Sequence, residues 1–118
     1  MVALYGIPNC DTMKKARAWL DAHGVDYRFH DYKREGVDET RLRAGVDELG
    51  WETLVNRRGT TWRKLDEVLK AGVVDAASAR ALMLAHPGLI RRPVIERDGS
   101  VLAVGFDAGA RDSLAGKP

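Results

Sequence analysis

The hydrophobic period changes twice within the first 30 residues, and this constrains the fold more than any other feature. Residues 2–5 form a short apolar run that predicts a buried strand. From Asp11 to His23 the apolar residues recur at helical spacing, and Gly24 suits the turn that closes such a helix. Residues 25–30 alternate between apolar and polar, as in a half-exposed strand. The chain is therefore predicted to open with a β-α-β unit.

The middle of the chain, residues 38–88, is predicted to be a helical insertion. Its apolar residues again follow helical spacing, and residues that suit helix caps and helix ends separate the segments. Three helices are expected: one ended by Gly50, one from a Thr61 cap to Gly72, and one from an Asp75 cap to Pro87-Gly88.

The last third returns to strand patterns. Residues 89–95 lead into Asp98-Gly99, a strong signal for a tight hairpin, and a second strand follows. A short helix is expected from Asp107, and residues 116–118 are expected to be frayed. A β-α-β unit, a helical insertion, a β-hairpin and a C-terminal helix give the order of a thioredoxin-like α/β fold, here predicted as a single domain over residues 1–118.

Size and composition favour a soluble globular protein. The 118 residues are 45% hydrophobic and 31% charged, and 19 basic against 17 acidic side chains give a net charge of +2. This balance calls for neither nucleic acid nor a membrane surface as a partner, and no run approaches the roughly 18 apolar residues of a membrane span. The histidines lack metal-ligand spacing, so no metal is expected. One unpaired cysteine suits a reducing compartment, which predicts a cytoplasmic protein, by default a monomer.

Cys10 is the only cysteine, and it lies where the first strand pattern gives way to the helix pattern. A thiol at a helix start faces unpaired N–H groups and the positive end of the helix dipole, and both favour the nucleophilic thiolate. A lone cysteine is otherwise usually an inert buried residue, and that alternative stays open. Because no second cysteine exists, a redox cycle would need a thiol from another molecule.

The dipole alone is too weak to ionise a thiol at neutral pH, so further anion-binding groups are expected. Arg57 and Arg92 are the main candidates, since guanidinium stays charged and presents a planar fork of donors. Thr12 can offer its hydroxyl or its backbone N–H, and Lys14 can add positive potential one turn along the helix. Asn9, beside the cysteine, completes the predicted set. The alternative for Arg57 and Lys14 is that both are simply solvated surface side chains.

Three stretches of the chain resemble one known family. They read YGIPNCDT (residues 5–12), NRRGTTWRKL (56–65) and HPGLIRRPV (86–94). They look like the ArsC/Spx family, with the YffB-like proteins as the most similar branch. The resemblance implies a thioredoxin-like fold with a helical insertion and thiol chemistry at Cys10. It also implies that Pro93 is cis, lies against the cysteine and shapes the groove for glutathione.

The chain departs from the family's patterns at three places. Arsenate reductases of the family use three arginines; Arg57 and Arg92 fall at two of these positions, but the third falls near Gly105. Gly6 stands where those enzymes have a histidine. Met13 stands where Spx regulators have the second cysteine of a C-x-x-C redox switch. These departures favour the YffB-like branch.

The resulting hypothesis is a glutathione-dependent thiol reductase. A single cysteine nucleophile would form a mixed disulfide, and glutathione, as co-substrate, would resolve it, with glutaredoxin as a further partner. Two alternatives stay open: a weak arsenate reductase, and an Spx-like regulator that binds RNA polymerase without a redox switch.

Overall fold

The computed structural model describes residues 1–115, so the frayed end predicted for residues 116–118 lies outside it. The chain forms two compact units. The sheet unit comprises residues 1–36 and the chain from Arg92 onward, and the helical unit comprises Val37–Arg91. The helical unit covers the segment in which the helical insertion is predicted.

Strands and helices follow the predicted order. In the sheet unit they are β1 (Val2–Gly6), α1 (Asp11–Ala22), β2 (Tyr27–Asp31), α2 (Tyr32–Glu35), β3 (Val94–Arg97), β4 (Ser100–Val104) and α8 (Ala108–Ala115). In the helical unit they are α3 (Glu39–Leu49), α4 (Trp51–Leu54), α5 (Thr60–Arg63), α6 (Glu67–Ala71), α7 (Ala76–Ala85) and a 3-10 turn (Pro87–Leu89). No helix in residues 1–115 is both long and apolar enough to cross a membrane.

The sheet has the strand order β2-β1-β3-β4. β1 pairs parallel with β2 and antiparallel with β3, so Leu4 lies opposite both Phe29 and Ile95. Leu4 and Ile95 are fully buried together with Met13 of α1 and with Leu114 of α8, which is almost fully buried. The apolar face of the sheet therefore packs on α1 and α8. This is the thioredoxin-like α/β architecture that the sequence predicts.

The second strand starts later than the alternating pattern predicts. The predicted strand includes Val25, but β2 begins at Tyr27. The backbone N–H of Val25 donates to the carbonyl of Leu20 at 3.0 Å, so this residue belongs to the turn that closes α1. Gly24 adopts a positive φ of 65° in that turn, as predicted from its position.

The predicted helix from Thr61 to Gly72 is wrong, because two short helices replace it. Asp66 interrupts the pattern: its side chain accepts a hydrogen bond from the N–H of Val68 at 2.7 Å and begins α6. Thr61 is not a cap but the second residue of α5. A Cβ at Gly88 would lie 2.6 Å from the Thr61 hydroxyl oxygen, so the hydroxyl packs closely against the 3-10 turn.

The other boundaries of the helical unit are close to those predicted. α3 ends at Gly50, which has a φ of 87°. Asp75 caps α7 through a capping box with Ser78.

The predicted strand over residues 89–95 is shorter in the structure. β3 begins at Val94, and Ile90 forms only an isolated bridge with Val55.

Candidate active site

Cys10 is the N-cap residue of α1. β1 ends at Gly6, and an extended backbone at Cys10 (φ −139°, ψ 128°) turns the chain into the helix. The thiol is free and partly exposed, so it is accessible to a reagent. The side chain therefore lies where the first N–H groups of a helix are without intrahelical partners.

Several neighbours act on the ionisation of this thiol. Burial raises the pKa of Cys10, but the backbone N–H groups of Met13 and Thr12 and the guanidinium of Arg92 outweigh it, and the net pKa is lowered. The thiol makes no capping hydrogen bond of ordinary geometry. The two N–H groups nevertheless face the sulfur closely enough to favour its anion.

Arg92 contributes twice, through a side-chain hydrogen bond to the sulfur and through its charge. It directly precedes β3, and the Arg92-Pro93 peptide bond is cis, as the resemblance implies. Pro93 is buried, and its carbonyl accepts a hydrogen bond from the N–H of Gly105 at 2.8 Å. The sheet unit thus brings together a cysteine and an arginine that are 82 positions apart in the sequence.

The remaining predicted residues near the thiol differ in what they contribute. Thr12 acts through its backbone N–H rather than its hydroxyl. Lys14 is exposed, and its charge is not among the causes of the lowered pKa. Its backbone N–H donates to the carbonyl of Cys10 at 2.9 Å, as in any first helical turn. Asn9 is exposed beside the thiol. Anion binding by Asn9 and Lys14 stays a prediction.

Met13 is the functional residue that the sequence reasoning missed. Its backbone N–H acts on the thiol, and the signal was its place as the third helical residue, where an N–H is always free of intrahelical partners. Its side chain is fully buried. A Cβ at Gly6 would lie 2.6 Å from the Met13 sulfur, so Gly6 leaves the space that Met13 fills. Gly6 and Met13, the two residues at which the chain departs from the family patterns near the cysteine, therefore pack against each other.

Arg57 belongs to the helical unit, so its predicted role at the thiol stays a prediction. Its guanidinium lies over the ring of Trp51 at 5.0 Å and over that of Trp62 at 6.0 Å. The side chain is nevertheless exposed. The two indole rings therefore hold the face of the guanidinium and leave its edge available to an anion.

Within residues 1–115, no group of three or more His, Cys, Asp or Glu side chains is arranged to hold a metal ion. At Cys10, the described residues bring together a partly exposed thiol with a lowered pKa and one guanidinium.

Together with this fold and site, the family comparison identifies the class of protein: the chain belongs to the ArsC family, whose model matches residues 5–112.

Individual relatives point the same way. The solved structure of a protein named YffB is 56% identical, covers 91% of this chain and 92% of its own, and superposes with a TM-score of 0.84. An arsenate reductase (ArsC) related protein from Brucella melitensis is also 56% identical, with coverages of 93% and 90% and a TM-score of 0.75. A global transcriptional regulator Spx from Listeria innocua is 33% identical over 91% of this chain and 81% of the regulator.

Proposed function

We propose that this ArsC-family protein is a thiol reductase that uses the Cys10 thiolate as nucleophile and glutathione as co-substrate. The observation that carries the proposal is the lowered pKa of a partly exposed cysteine held between a helix start and Arg92. A thiolate near neutral pH attacks disulfides, whereas a thiol does not. The family membership adds support, because relatives with the same fold include proteins named as arsenate reductase-related.

The proposed cycle exchanges disulfides twice. The Cys10 thiolate attacks the glutathione sulfur of a glutathionylated substrate; a Cys10–glutathione disulfide forms, and the substrate leaves as a thiolate that takes a proton from water. The thiolate of a second glutathione then attacks the glutathione sulfur of this mixed disulfide. Glutathione disulfide forms and the Cys10 thiolate is released. The substrate disulfide is thereby reduced, and glutathione is oxidised.

Arg92 and the helix start have one task in both steps. They stabilise negative charge on the Cys10 sulfur, which is the nucleophile in the first step and the leaving group in the second. Their N–H groups are fixed by the helix and by the entry to β3, so little reorganisation is needed as charge moves on or off the sulfur. Arg57 remains the predicted binder of a glutathione carboxylate.

Mass spectrometry of the intact protein tests this proposal. After treatment with glutathione disulfide at neutral pH, we expect one glutathione adduct, located at Cys10 and removed by added glutathione. Cys10→Ser is the matched control and should carry no adduct. A folded wild-type protein that stays unmodified under conditions in which free cysteine reacts would contradict the thiolate mechanism.

Weak arsenate reduction is the first alternative, and the structure bears on the missing third arginine. The family's third arginine falls near Gly105, which has a φ of 82°, a conformation that favours glycine over side-chain-bearing residues. This backbone supports thiol reduction over arsenate reduction. An assay of arsenate reduction coupled to glutathione and glutaredoxin distinguishes the two functions. Arsenate turnover by the wild type well above that of Cys10→Ser would favour arsenate reductase activity.

A binding role is the second alternative, and the Spx relative at 33% identity favours it. In that case the proposed partner is RNA polymerase, and the chemistry of Cys10 is dispensable. Size-exclusion chromatography with purified bacterial RNA polymerase is the test. Co-elution that is equal for the wild type and for Cys10→Ser would favour binding, whereas separate elution of both would remove this alternative.

A further inference from the structure

A groove of about 360 Å³ lies between helix α1 and β2, a strand at the edge of the sheet. Three segments line it: the second and third turns of α1, the turn that follows the helix, and the first half of β2. The lining residues are aliphatic, aromatic or charged, and they are Val25, Tyr27, Phe29, Arg17, Asp21 and Asp26. The proposed thiol chemistry uses none of them. A groove with an apolar wall and a few charged groups has the general character of a small-molecule site.

Arg17 is held against one wall of the groove by two contacts. Its Nε donates to the hydroxyl of Tyr27 at 3.2 Å, and its guanidinium carbon lies 4.7 Å from the centre of the Phe29 ring. These contacts use one N–H and one face of the guanidinium, and they leave the two Nη groups to donate to a ligand. A carboxylate can accept from both Nη groups at once. Because the side chain is already fixed, it loses little further conformational freedom when an anion binds.

Two carboxylates line the same groove, and neither is paired with Arg17. Asp21 follows Arg17 by one helical turn on α1, a spacing at which opposite charges normally pair. Arg17 instead contacts β2, and within residues 1–115 neither Asp21 nor Asp26 takes part in an ion pair. Both aspartates are exposed. The groove therefore presents one positive and two negative charges that do not neutralise each other by direct contact.

We propose that this groove binds an α-amino acid with a cationic side chain, such as free lysine or arginine. The ligand's carboxylate accepts from the Nη groups of Arg17, its two cationic groups pair with Asp21 and Asp26, and its aliphatic stem packs on Val25. The charges are complementary, since the ligand carries one negative and two positive groups. A simple anion would meet two carboxylates in this groove, and a simple cation would meet the guanidinium, so a ligand that carries both signs fits best.

An NMR titration of the ¹⁵N-labelled protein with L-lysine at constant ionic strength tests the proposal. We expect saturable shifts of the backbone amide resonances of the groove residues, with a Kd of about 1 mM because exposed charges each contribute little. Arg17→Gln should weaken binding about tenfold, and Tyr27→Phe, which releases Arg17 but keeps the ring, about threefold. Arg111→Gln is the matched control and should bind like the wild type. Arg111 also lies over an aromatic ring, that of Phe106 at 5.6 Å, but it does not line the groove.

A second ligand tests the chemical class. L-alanine lacks the second cation and should bind several-fold more weakly than L-lysine, and this preference should disappear in the double variant Asp21→Asn/Asp26→Asn. Equal affinities for the two amino acids, wild-type affinity in Arg17→Gln, or shifts that do not saturate would each overturn the proposal. If circular dichroism shows that Arg17→Gln is unfolded, Tyr27→Phe and the double variant decide. Cys10→Ser should bind L-lysine like the wild type, so this site and the proposed thiol chemistry are tested separately.

Discussion

Arg92 and Arg57 are the same residue type in two contrasting surroundings. In the sheet unit, Arg92 is partly buried and directs N–H donors at a sulfur. In the helical unit, Arg57 is exposed and lies across two indole rings. Arg92 acts through the N–H donors at the edge of its guanidinium plane, whereas the flat face of the Arg57 guanidinium packs on the two rings. The contrast teaches that two arginines at positions where one family has arginines need not act on the nucleophile in the same way.

The difference has consequences for what each arginine can bind. The donors of Arg92 already act on Cys10, so its charge tunes the thiol before any ligand arrives. The face of Arg57 is occupied, but stacking leaves the in-plane donors exposed. Arg57 is therefore better suited to bind a carboxylate or oxyanion than to lower the pKa of a thiol.

The largest expected effect is on the rate of Cys10 alkylation, compared between two single variants that each lack one of these arginines. The pKa of Cys10 is lowered in the folded protein, so the alkylation rate should rise with pH at lower values than for a free cysteine. Arg92→Ala should move this rise to higher pH and slow iodoacetamide alkylation at neutral pH by about tenfold, since it removes a charge-assisted hydrogen bond. Arg57→Ala should leave the rate within about twofold.

The neutral reagent matters in this comparison, because an arginine cannot steer iodoacetamide by charge. Circular dichroism confirms that each variant is folded. If Arg57→Ala and Arg92→Ala shift the pH dependence of Cys10 alkylation equally, the two arginines do not differ in their effect on the thiol. If Arg92→Ala leaves that pH dependence unchanged, Arg92 has no role in ionising Cys10.

A second prediction compares the two units through their glycines. Gly6→Ala would place a Cβ 2.6 Å from the buried Met13 sulfur and should destabilise the protein by about 1–3 kcal/mol. Gly45 lies within α3, where a Cβ would lie 3.5 Å from Leu54, an ordinary contact. Gly45→Ala should therefore stabilise the protein by up to about 1 kcal/mol through helix propensity. Urea unfolding measures both, and effects of the same sign would contradict this account.

Most of the fold was predictable because its boundaries are encoded locally. The strand-to-helix change at Cys10, the Asp75 cap and the Asp98-Gly99 turn each use residues whose local chemistry favours one conformation. The error at residues 61–72 has the same origin. Asp66 lies inside an apolar pattern that predicts one continuous helix, although an aspartate is as good a cap there as at Asp75.

The site was less predictable, because its members are joined by tertiary structure. The sequence places Cys10 at a helix start and so indicates the helix N–H groups, although only the structure identifies Met13 as one of them. The chemistry of guanidinium and the family resemblance predict Arg92, whereas its hydrogen bond to the thiol depends on how β3 pairs with β1. The stack of Arg57 on Trp51 and Trp62 brings together residues from three short segments, which no periodicity reveals.

The smallest expected effect concerns that stack. Arg57→Met keeps the alkyl stem but removes the cation, and should cost about 0.5–1 kcal/mol of unfolding free energy, the usual value of an exposed cation–π contact. Arg58→Met, the same change one residue along, is the control. Trp51→Leu should couple to Arg57→Met more strongly than Trp62→Leu does, because the Trp51 ring is nearer, at 5.0 Å against 6.0 Å. A coupling energy of zero at both tryptophans would mean that the rings do not hold Arg57, and its face would then be as free as its edge.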